Sequence, residues 1–465
     1  MTDQVVKRRS IFATRANCQP SVIPSAPMSV FQRLGLDRPE LRAWALYDWA
    51  NSAFITTVVS ALFPPYFASV ACAGLPDAAA TARLGYGTSI ALTLIALLSP
   101  VLGAIADHAP IKKAMLAAFT ILGVGTTASL SLFGTGEWVL ALVLFGLANI
   151  AANGAFVFYD AFLPHIARPG ELDRVSTTGY ALGYLGGGAL LAVNAVMVMK
   201  PALFGLSGQG AAVRVSFLLT AVWWAIFAVP LFRRVPEPAI ASKDRVRGLA
   251  VVSAGFRDVA RTWQELRRFP QATRLLVAFL IYNDGIGTIY RMATAFGKEI
   301  GLPPGSMVIA LLVVQLVGVP ATFAFGRIAG HLGTRRAILI GLAFYGVISV
   351  LGYFITTATH FFVLAALVGL VQGGTQALSR SLFARMIPRH KSSEMFGLFA
   401  VFEKFAGIFG PLLFAAVVSA FGSSRPAILS IIAFFAVGSA LLLRVDVAAG
   451  ERAAEDVNRV HAAKG

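Results

Sequence analysis

Long apolar segments recur along this chain from residue 43 to residue 443, separated by short polar or basic stretches. An α-helix needs about 20 residues to cross the hydrocarbon core of a bilayer. A mean hydropathy of +0.74 and a charged content of 13% are typical of a membrane protein. The pattern predicts an all-α membrane protein of about twelve transmembrane helices, at Ala43–Ala71, Leu84–Ala106, Ala114–Phe133, Trp138–Leu163, Val175–Met199, Ala212–Phe232, Leu275–Phe296, Ser306–Ile328, Ala337–Thr357, Phe361–Ile387, Met395–Phe421 and Ala427–Leu443.

A basic turn occurs twice, each time after the second span of a group of six. Each copy has a glycine, then a histidine five residues later, then a turn residue and a basic pair. Two six-helix halves that share such a turn are typical of secondary transporters. The alternative is a coincidental match of two short turns. The motif positions are Gly103, Asp107, Lys112 and Lys113 in the first copy, and Gly326, Gly330, Gly333, Arg335 and Arg336 in the second.

The net charge of +17 comes from basic residues concentrated in the two tails and in alternate loops. Basic residues accumulate in the cytoplasmic loops of membrane proteins, so this distribution indicates topology and we expect no nucleic-acid partner. Both termini should be cytoplasmic, in a bacterial cytoplasmic membrane. The loops on the other side carry five basic residues, Arg83, Lys200, Arg214, Lys298 and Arg425.

The charge and hydropathy pattern divides the chain into five parts. We expect a disordered N-terminal tail (1–42), a six-helix bundle (43–234), a linker (235–273), a second six-helix bundle (274–444) and a C-terminal tail (445–465). Apolar residues of the linker recur every three or four positions from Leu249 to Leu266, with arginines between them. This predicts an amphipathic helix on anionic lipids, or one that simply tethers the two bundles.

Four spans carry polar residues at helical spacing, and they occupy equivalent places in the two halves. Polar groups inside a membrane are costly unless they face a cavity or a partner, so four aligned stripes predict a wet central pathway. The alternative for any single residue is a hydrogen bond between helices. Tyr180, Tyr184 and Gln315 either add to the lining or pack. The stripes are Asp48 and Asn51; Asn149, Asn153 and Asp160; Asp284, Thr288 and Arg291; and Gln372, Gln376 and Arg380.

Several segments resemble the major facilitator superfamily. The repeated turn is similar to its loop between helices two and three. The segment from Arg42 to Ala53 resembles the opening of the unknown major facilitator family, which includes fungal autophagy-linked vacuolar amino-acid effluxers. Tyr282-Asn283-Asp284-Gly285 and the segment from Gly373 to Ser381 are similar to its seventh- and tenth-helix signatures. The resemblance implies the major facilitator fold and a transport function, and it adds Tyr282 and Asn283 to the pathway.

Secondary active transport of a small polar solute is the function that these features favour. The resemblance implies amino acids as the candidate substrate. We also expect proton coupling, and export of another metabolite or drug-like compound is the alternative. A channel would not need two equivalent halves. The six histidines lie in loops, helix ends or tails, so we expect neither a membrane-embedded enzyme nor a metal or cofactor site. We expect a monomer in the lipid bilayer.

Two kinds of charged site follow from the depth of the residues in their spans. Asp284 and Glu403 should lie near the midplane, where desolvation favours a neutral carboxyl that can carry a coupling proton. Alternatively, Arg291 pairs with Asp284 and keeps it charged. Asp160 and Arg380 fall at equivalent positions of the fourth and tenth spans and are predicted to form a gate. Asp48 is a rival partner for Arg380, and the alternative is that each residue bonds within its own half.

Overall fold

The computed structural model describes residues 29–75, 77–108, 110–238, 267–299, 304–406, 409–421 and 424–464. Within these ranges the chain forms helices joined by short turns, without a strand. The helices are α1 (Pro39–Ala71), α2 (Asp77–His108), α3 (Lys112–Ser129), α4 (Trp138–Ile166), α5 (Leu172–Met199), α6 (Gln209–Arg234), α7 (Pro270–Glu299), α8 (Pro304–Leu332), α9 (Thr334–Tyr353), α10 (Ala358–Arg385), α11a (Ser392–Phe405), α11b (Phe409–Phe421), α12a (Ser424–Ser430), α12b (Ile432–Leu443) and α13 (Val447–Lys464).

Nine helical segments in the described part of the chain are long and apolar enough to cross a membrane. They lie in α1, α2, α4, α5, α6, α8, α9, α10 and the segment formed by α12a with α12b. The remaining predicted spans coincide with α3, α7 and the pair α11a–α11b. These pack into the same bundle, α3 against α4 and α7 against α12b. The fold is therefore an all-α membrane bundle, as the apolar periodicity predicted.

The chain ends are more structured than the predicted tails. Ser29 begins a short helix, Val30–Arg33, with a capping box formed with Gln32. Arg42 then donates hydrogen bonds to the carbonyls of Leu36 and Asp37, both at 2.8 Å. The first span begins at Pro39, since proline is well suited to the first turn of a helix. Residues 29–42 of the predicted disordered tail thus include helical structure, and the predicted C-terminal tail contains α13.

The eleventh span is divided where the sequence predicted one helix. The first part, α11a, ends at Phe405, because the next residue, Ala406, has a ψ of 50° that leaves the helical region. The second part, α11b, begins at Phe409. The amphipathic helix predicted in the linker, between Leu249 and Leu266, lies outside the described residues.

Helix α1 is widened into π-helical turns at Phe54–Leu62 and Phe67–Ala71. Pro64 and Pro65 lie between them and lack the backbone N–H that a regular helix needs. The Ser60 hydroxyl donates to the carbonyl of Ile55. In a regular α-helix this carbonyl would accept a backbone N–H instead. Because π turns change the phase of the helix, residues after Phe54 face directions that a period of 3.6 does not give.

Two halves, α1–α6 and α7–α12b, meet along a small set of helices. We call them the N-half and the C-half. Helix α2 packs on α11a, and α5 packs on both α8 and α10. Two glycines allow α2 and α11a to approach closely: a Cβ at Gly103 would overlap the carbonyl of Ser393, and one at Gly397 would lie 2.6 Å from the Ser99 carbonyl oxygen. We call the end of the bundle that carries both repeated turns and α13 the basic face, and the other end the far face.

Candidate functional site

A cavity of about 280 Å³ lies between the two halves at mid-depth. The N-half lines it with Asp48, Ser52, Thr56, Asn153, Tyr180 and Tyr184. The C-half contributes Tyr290, Gln315, Gln372, Gln376 and Glu403. The sequence had predicted Asp48, Asn153, Gln372, Gln376 and Glu403 as functional residues, and the structure brings these five together around one space.

Two hydrogen bonds join the halves across this cavity. The Gln315 amide donates to the Thr56 hydroxyl at 2.8 Å, and the Tyr290 hydroxyl donates to Ser60 at 2.7 Å. Thr56 and Ser60 both lie in the first π segment of α1, which explains why a regular helical period did not predict them.

Other predicted pathway residues make contacts within or between helices. The amides of Asn149 and Asn153 donate to backbone carbonyls one turn earlier, at 2.9 and 2.8 Å, and Asn153 also lines the cavity. Tyr282 bonds to the hydroxyl of Ser379 at 2.6 Å. Three further residues, Asn51, Asn283 and Thr288, are buried in helix packing. The Thr288 hydroxyl donates to the Asp284 carbonyl at 2.7 Å, whereas the buried amide of Asn51 has no hydrogen-bond partner among the described residues.

Arg380 lies at the end of the cavity nearer the basic face and joins the halves. Its Nη1 is 2.9 Å from Asp160 Oδ1 and 3.6 Å from Asp48 Oδ2, so the structure brings the predicted gate pair and its rival together. Its Nε donates to the Ser176 hydroxyl at 3.0 Å and its Nη2 to the Ser176 carbonyl at 3.1 Å. With only 3% of its side chain exposed, Arg380 is a buried charge held almost wholly by groups of the N-half.

Aromatic rings of the N-half surround the Arg380 guanidinium. Its carbon lies 4.4 Å from the ring centre of Tyr180, 5.0 Å from Trp44 and 5.7 Å from Tyr159. Trp44 stacks on Tyr159 at 4.5 Å and donates its indole N–H to the Tyr159 carbonyl. Such rings stabilise a cation that has lost its water. Trp44, Tyr159 and Ser176 were missed by the sequence analysis, because nothing local distinguishes them from packing residues.

Asp284 lies in the middle of α7 and contacts the start of α11b. Its two carboxylate oxygens accept the backbone N–H groups of Phe409 and Gly410, both at 3.0 Å, at the first turn of α11b. A carboxylate there satisfies orphan donors and interacts favourably with the helix dipole. Glu403, the other candidate, lines the cavity. The side chain of Arg291 lies outside what the structure describes.

The first basic turn connects α2 to α11a through hydrogen bonds and an ion pair. Asp107 accepts the backbone N–H groups of Ser393 and Glu394 at 3.3 and 2.8 Å, capping α11a from the other half. Lys112 is buried, 2.7 Å from the same carboxylate, and donates to the Ser392 hydroxyl at 3.1 Å. The second basic residue, Lys113, instead donates to the Val235 carbonyl of its own half.

The second turn is built differently, because Gly330 replaces the capping aspartate. The carboxylate near this turn is Asp173, in the first turn of α5, and it accepts the side-chain hydroxyls of Thr334 at 2.6 Å and Ser381 at 2.5 Å instead of backbone N–H groups. A Cβ at Gly326 would lie 2.7 Å from the Thr177 hydroxyl, so this glycine matches Gly103. The remaining motif residues shape the turn: Gly333 has φ of +86°, Arg335 donates to the carbonyls of Leu443 and Val445, and Arg336 is exposed.

Comparisons with known proteins agree with this geometry. The sequence profile of the family described as "Vacuole effluxer Atg22 like" matches residues 77–455. The chain belongs to this family. An MFS-type transporter of Bacillus subtilis, YxiO, is 36% identical over 402 residues, which cover 86% of this chain and 93% of YxiO. Autophagy-related protein 22 of Coccidioides immitis is 22% identical and covers 90% of the chain and 88% of its own length.

Other fungal relatives match over a shorter part. Autophagy-related protein 22-1 of Penicillium rubens is 26% identical over 60% of this chain, and the match spans half of the fungal protein. Solved structures of major facilitators share the fold: the human organic anion transporter MFSD10 has a TM-score of 0.65 at 13% identity, covering 89% of this chain and all of that one. FucP in its outward conformation has a TM-score of 0.61 at 12% identity, covering 89% and 99%. This Atg22-like chain is therefore a transporter of the major facilitator fold.

Proposed function

We propose that this chain carries a small polar solute, of about the size of an amino acid, by alternating access. The observation that supports this most is the central cavity, which both halves line and which Arg380 closes toward the basic face. A volume of about 280 Å³ corresponds to roughly nine water molecules at about 30 Å³ each. This is just below the range of about 300–1,000 Å³ typical of pockets for drug-sized ligands.

The polar groups of the cavity fit a zwitterion. Asp48 provides a carboxylate for an ammonium group, and the amides of Gln315, Gln372 and Gln376 provide donors for a carboxylate. The rings of Tyr180 and Tyr184 also line the cavity and offer an apolar surface for the side chain of the solute. Amino acids are therefore the substrate class that we propose.

Counterflow in proteoliposomes tests this function. We expect uptake of labelled amino acids to accelerate when the lumen is loaded with the same unlabelled compounds. A carrier must turn its binding site back to the outside after each uptake step, and internal substrate lets it do so while loaded. Gln315→Ala should weaken this exchange severalfold, whereas Leu316→Ala, at a position 76% exposed on the outside of the bundle, should not. Equal uptake with and without internal load would indicate a channel and contradict the proposal.

We propose that Glu403 carries a coupling proton. It faces the cavity, while the two Asp284 oxygens accept N–H groups of α11b. Glu403→Gln keeps the shape but cannot exchange a proton, so it should abolish accumulation driven by a pH gradient and preserve counterflow. Asp284→Asn should keep coupling and lower the thermal unfolding temperature instead. Accumulation by Glu403→Gln at the wild-type level would exclude this role.

We propose a monomer in a bacterial cytoplasmic membrane, and the charge asymmetry of the loops supports an orientation in which the basic face and both termini are cytoplasmic. The linker would then lie beside the anionic lipids of that leaflet. Reporter fusions at Gly136 and Gly465 should report opposite sides, and the same side for both would overturn this orientation.

A further inference from the structure

Helix α13 is attached to the C-half. The backbone N–H of Asp446, just before α13, donates to Gln271 of α7 at 2.9 Å. Asn458 accepts the backbone N–H of Arg389, in the turn after α10, at 2.9 Å. The ring of His461 stacks on that of His390 with centres 4.1 Å apart. Since all these partners belong to the C-half, α13 must move with it.

Arg385, near the end of α10, pairs with two carboxylates, one from the N-half and one from α13. Its Nη2 is 3.3 Å from Asp173 of the N-half, and its Nε is 3.3 Å from Glu451 of α13. The first pair crosses the boundary between the halves, whereas the second stays within the unit that carries α13. A cavity of about 580 Å³ separates α13 from the 164–172 segment of the N-half, and Arg385 lines that cavity.

We propose that Arg385 loses Asp173 and keeps Glu451 as its carboxylate partner when the basic face opens. We call this change of partner the hand-over. This rests on the alternating movement of the two halves proposed above. Opening takes Asp173 away from Arg385, and a half-buried guanidinium without a partner is costly. Glu451 stays beside Arg385 and compensates its charge. In the closed state two carboxylates crowd one guanidinium and repel each other, so Glu451 favours the open state over the closed one.

The sign of this effect makes it testable by spin labelling. Labels would be placed at Arg168→Cys and Arg336→Cys, two exposed positions on the basic face in different halves, in a Cys18→Ser and Cys72→Ser background. Double electron–electron resonance on the full chain in liposomes gives the ratio of long to short distances. Glu451→Gln should lower the open-to-closed ratio about two- to fivefold, the effect of a partly exposed ion pair.

Two variants control for trivial effects. Glu455→Gln makes the same change on the same helix, but Glu455 pairs with Arg459 of α13 itself at 2.9 Å, so the ratio should stay at the wild-type value. Asp173→Asn removes the partner across the boundary and should raise the ratio. In the Asp173→Asn background Glu451→Gln should then have little effect, because Arg385 keeps the same partner in both states.

An unchanged or raised open-to-closed ratio in Glu451→Gln would overturn the hand-over, since a helix that merely braces the closed state predicts the rise. A single distance in the wild type and in Arg380→Ala would show instead that the halves do not alternate. That result would refute the proposed function and this inference together, and so it is distinguishable from failure of the hand-over alone.

Discussion

Arg380→Ala should shift the carrier toward the state that is open at the basic face. In the closed state its loss leaves Asp48 and Asp160 facing each other without the cation that lies 3.6 and 2.9 Å away. Breaking a buried ion pair costs about 3 kcal/mol or more, which corresponds to a population change on the order of 100-fold. Transport should fall accordingly, because the cycle must pass through the closed state.

Asp160→Ala should also shift the population toward the state open at the basic face, but by less, since Asp48 still neutralises Arg380. The spin labels at Arg168 and Arg336 measure both shifts directly. The charge swap, Asp160→Arg with Arg380→Asp, tests whether the pair is direct. Transport well above either single variant is expected, and a folded double variant without recovery would contradict a pairing that controls the gate.

Two alanine substitutions should prevent closure of the basic face by steric overlap. A methyl group at Gly103 would overlap the Ser393 carbonyl, and one at Gly397 would meet the Ser99 carbonyl oxygen at 2.6 Å. Backbone atoms cannot move aside cheaply, and overpacking of this kind costs about 1–3 kcal/mol. Gly103→Ala and Gly397→Ala should therefore reduce transport about tenfold or more and lengthen the label distance at the basic face.

Matched alanine substitutions separate this overlap from the general effect of replacing a helical glycine. Gly125 and Gly346 lie in α3 and α9, and a Cβ at either would meet no atom within 4 Å. Gly125→Ala and Gly346→Ala should leave transport unchanged and slightly raise stability, since alanine is the better helix former. Equal losses in all four variants would refute the close-contact explanation.

The regular spacing of polar residues was enough to find part of the site. Asp48, Asn153, Gln372 and Gln376 lie on the cavity because α1, α4 and α10 keep a helical period up to those residues. The ion pair of Asp160 with Arg380 could be anticipated because the repeat places these residues at equivalent points of two related spans. These inferences needed only periodicity and internal symmetry.

Other features depend on contacts that no single segment encodes. The stripe of Asp284 and Thr288 has helical spacing, but it faces the start of α11b, where the break after α11a exposes backbone N–H groups. The π turns of α1 bring Thr56 against Gln315. The repeat also suggested equivalent turns, whereas the second has Gly330 in place of the capping aspartate, and Asp173 of another helix binds the hydroxyls of Thr334 and Ser381 there. Each follows from packing between distant elements.

One measurement tests alternating access without knowledge of the substrate. A second label pair on the far face, Thr135→Cys in the N-half and Thr356→Cys in the C-half, is compared with the Arg168 and Arg336 pair in the same cysteine-free background. Alternation predicts that Arg380→Ala lengthens the distance at the basic face and shortens the one at the far face. Lengthening at both faces, or a change at one face alone, would contradict it.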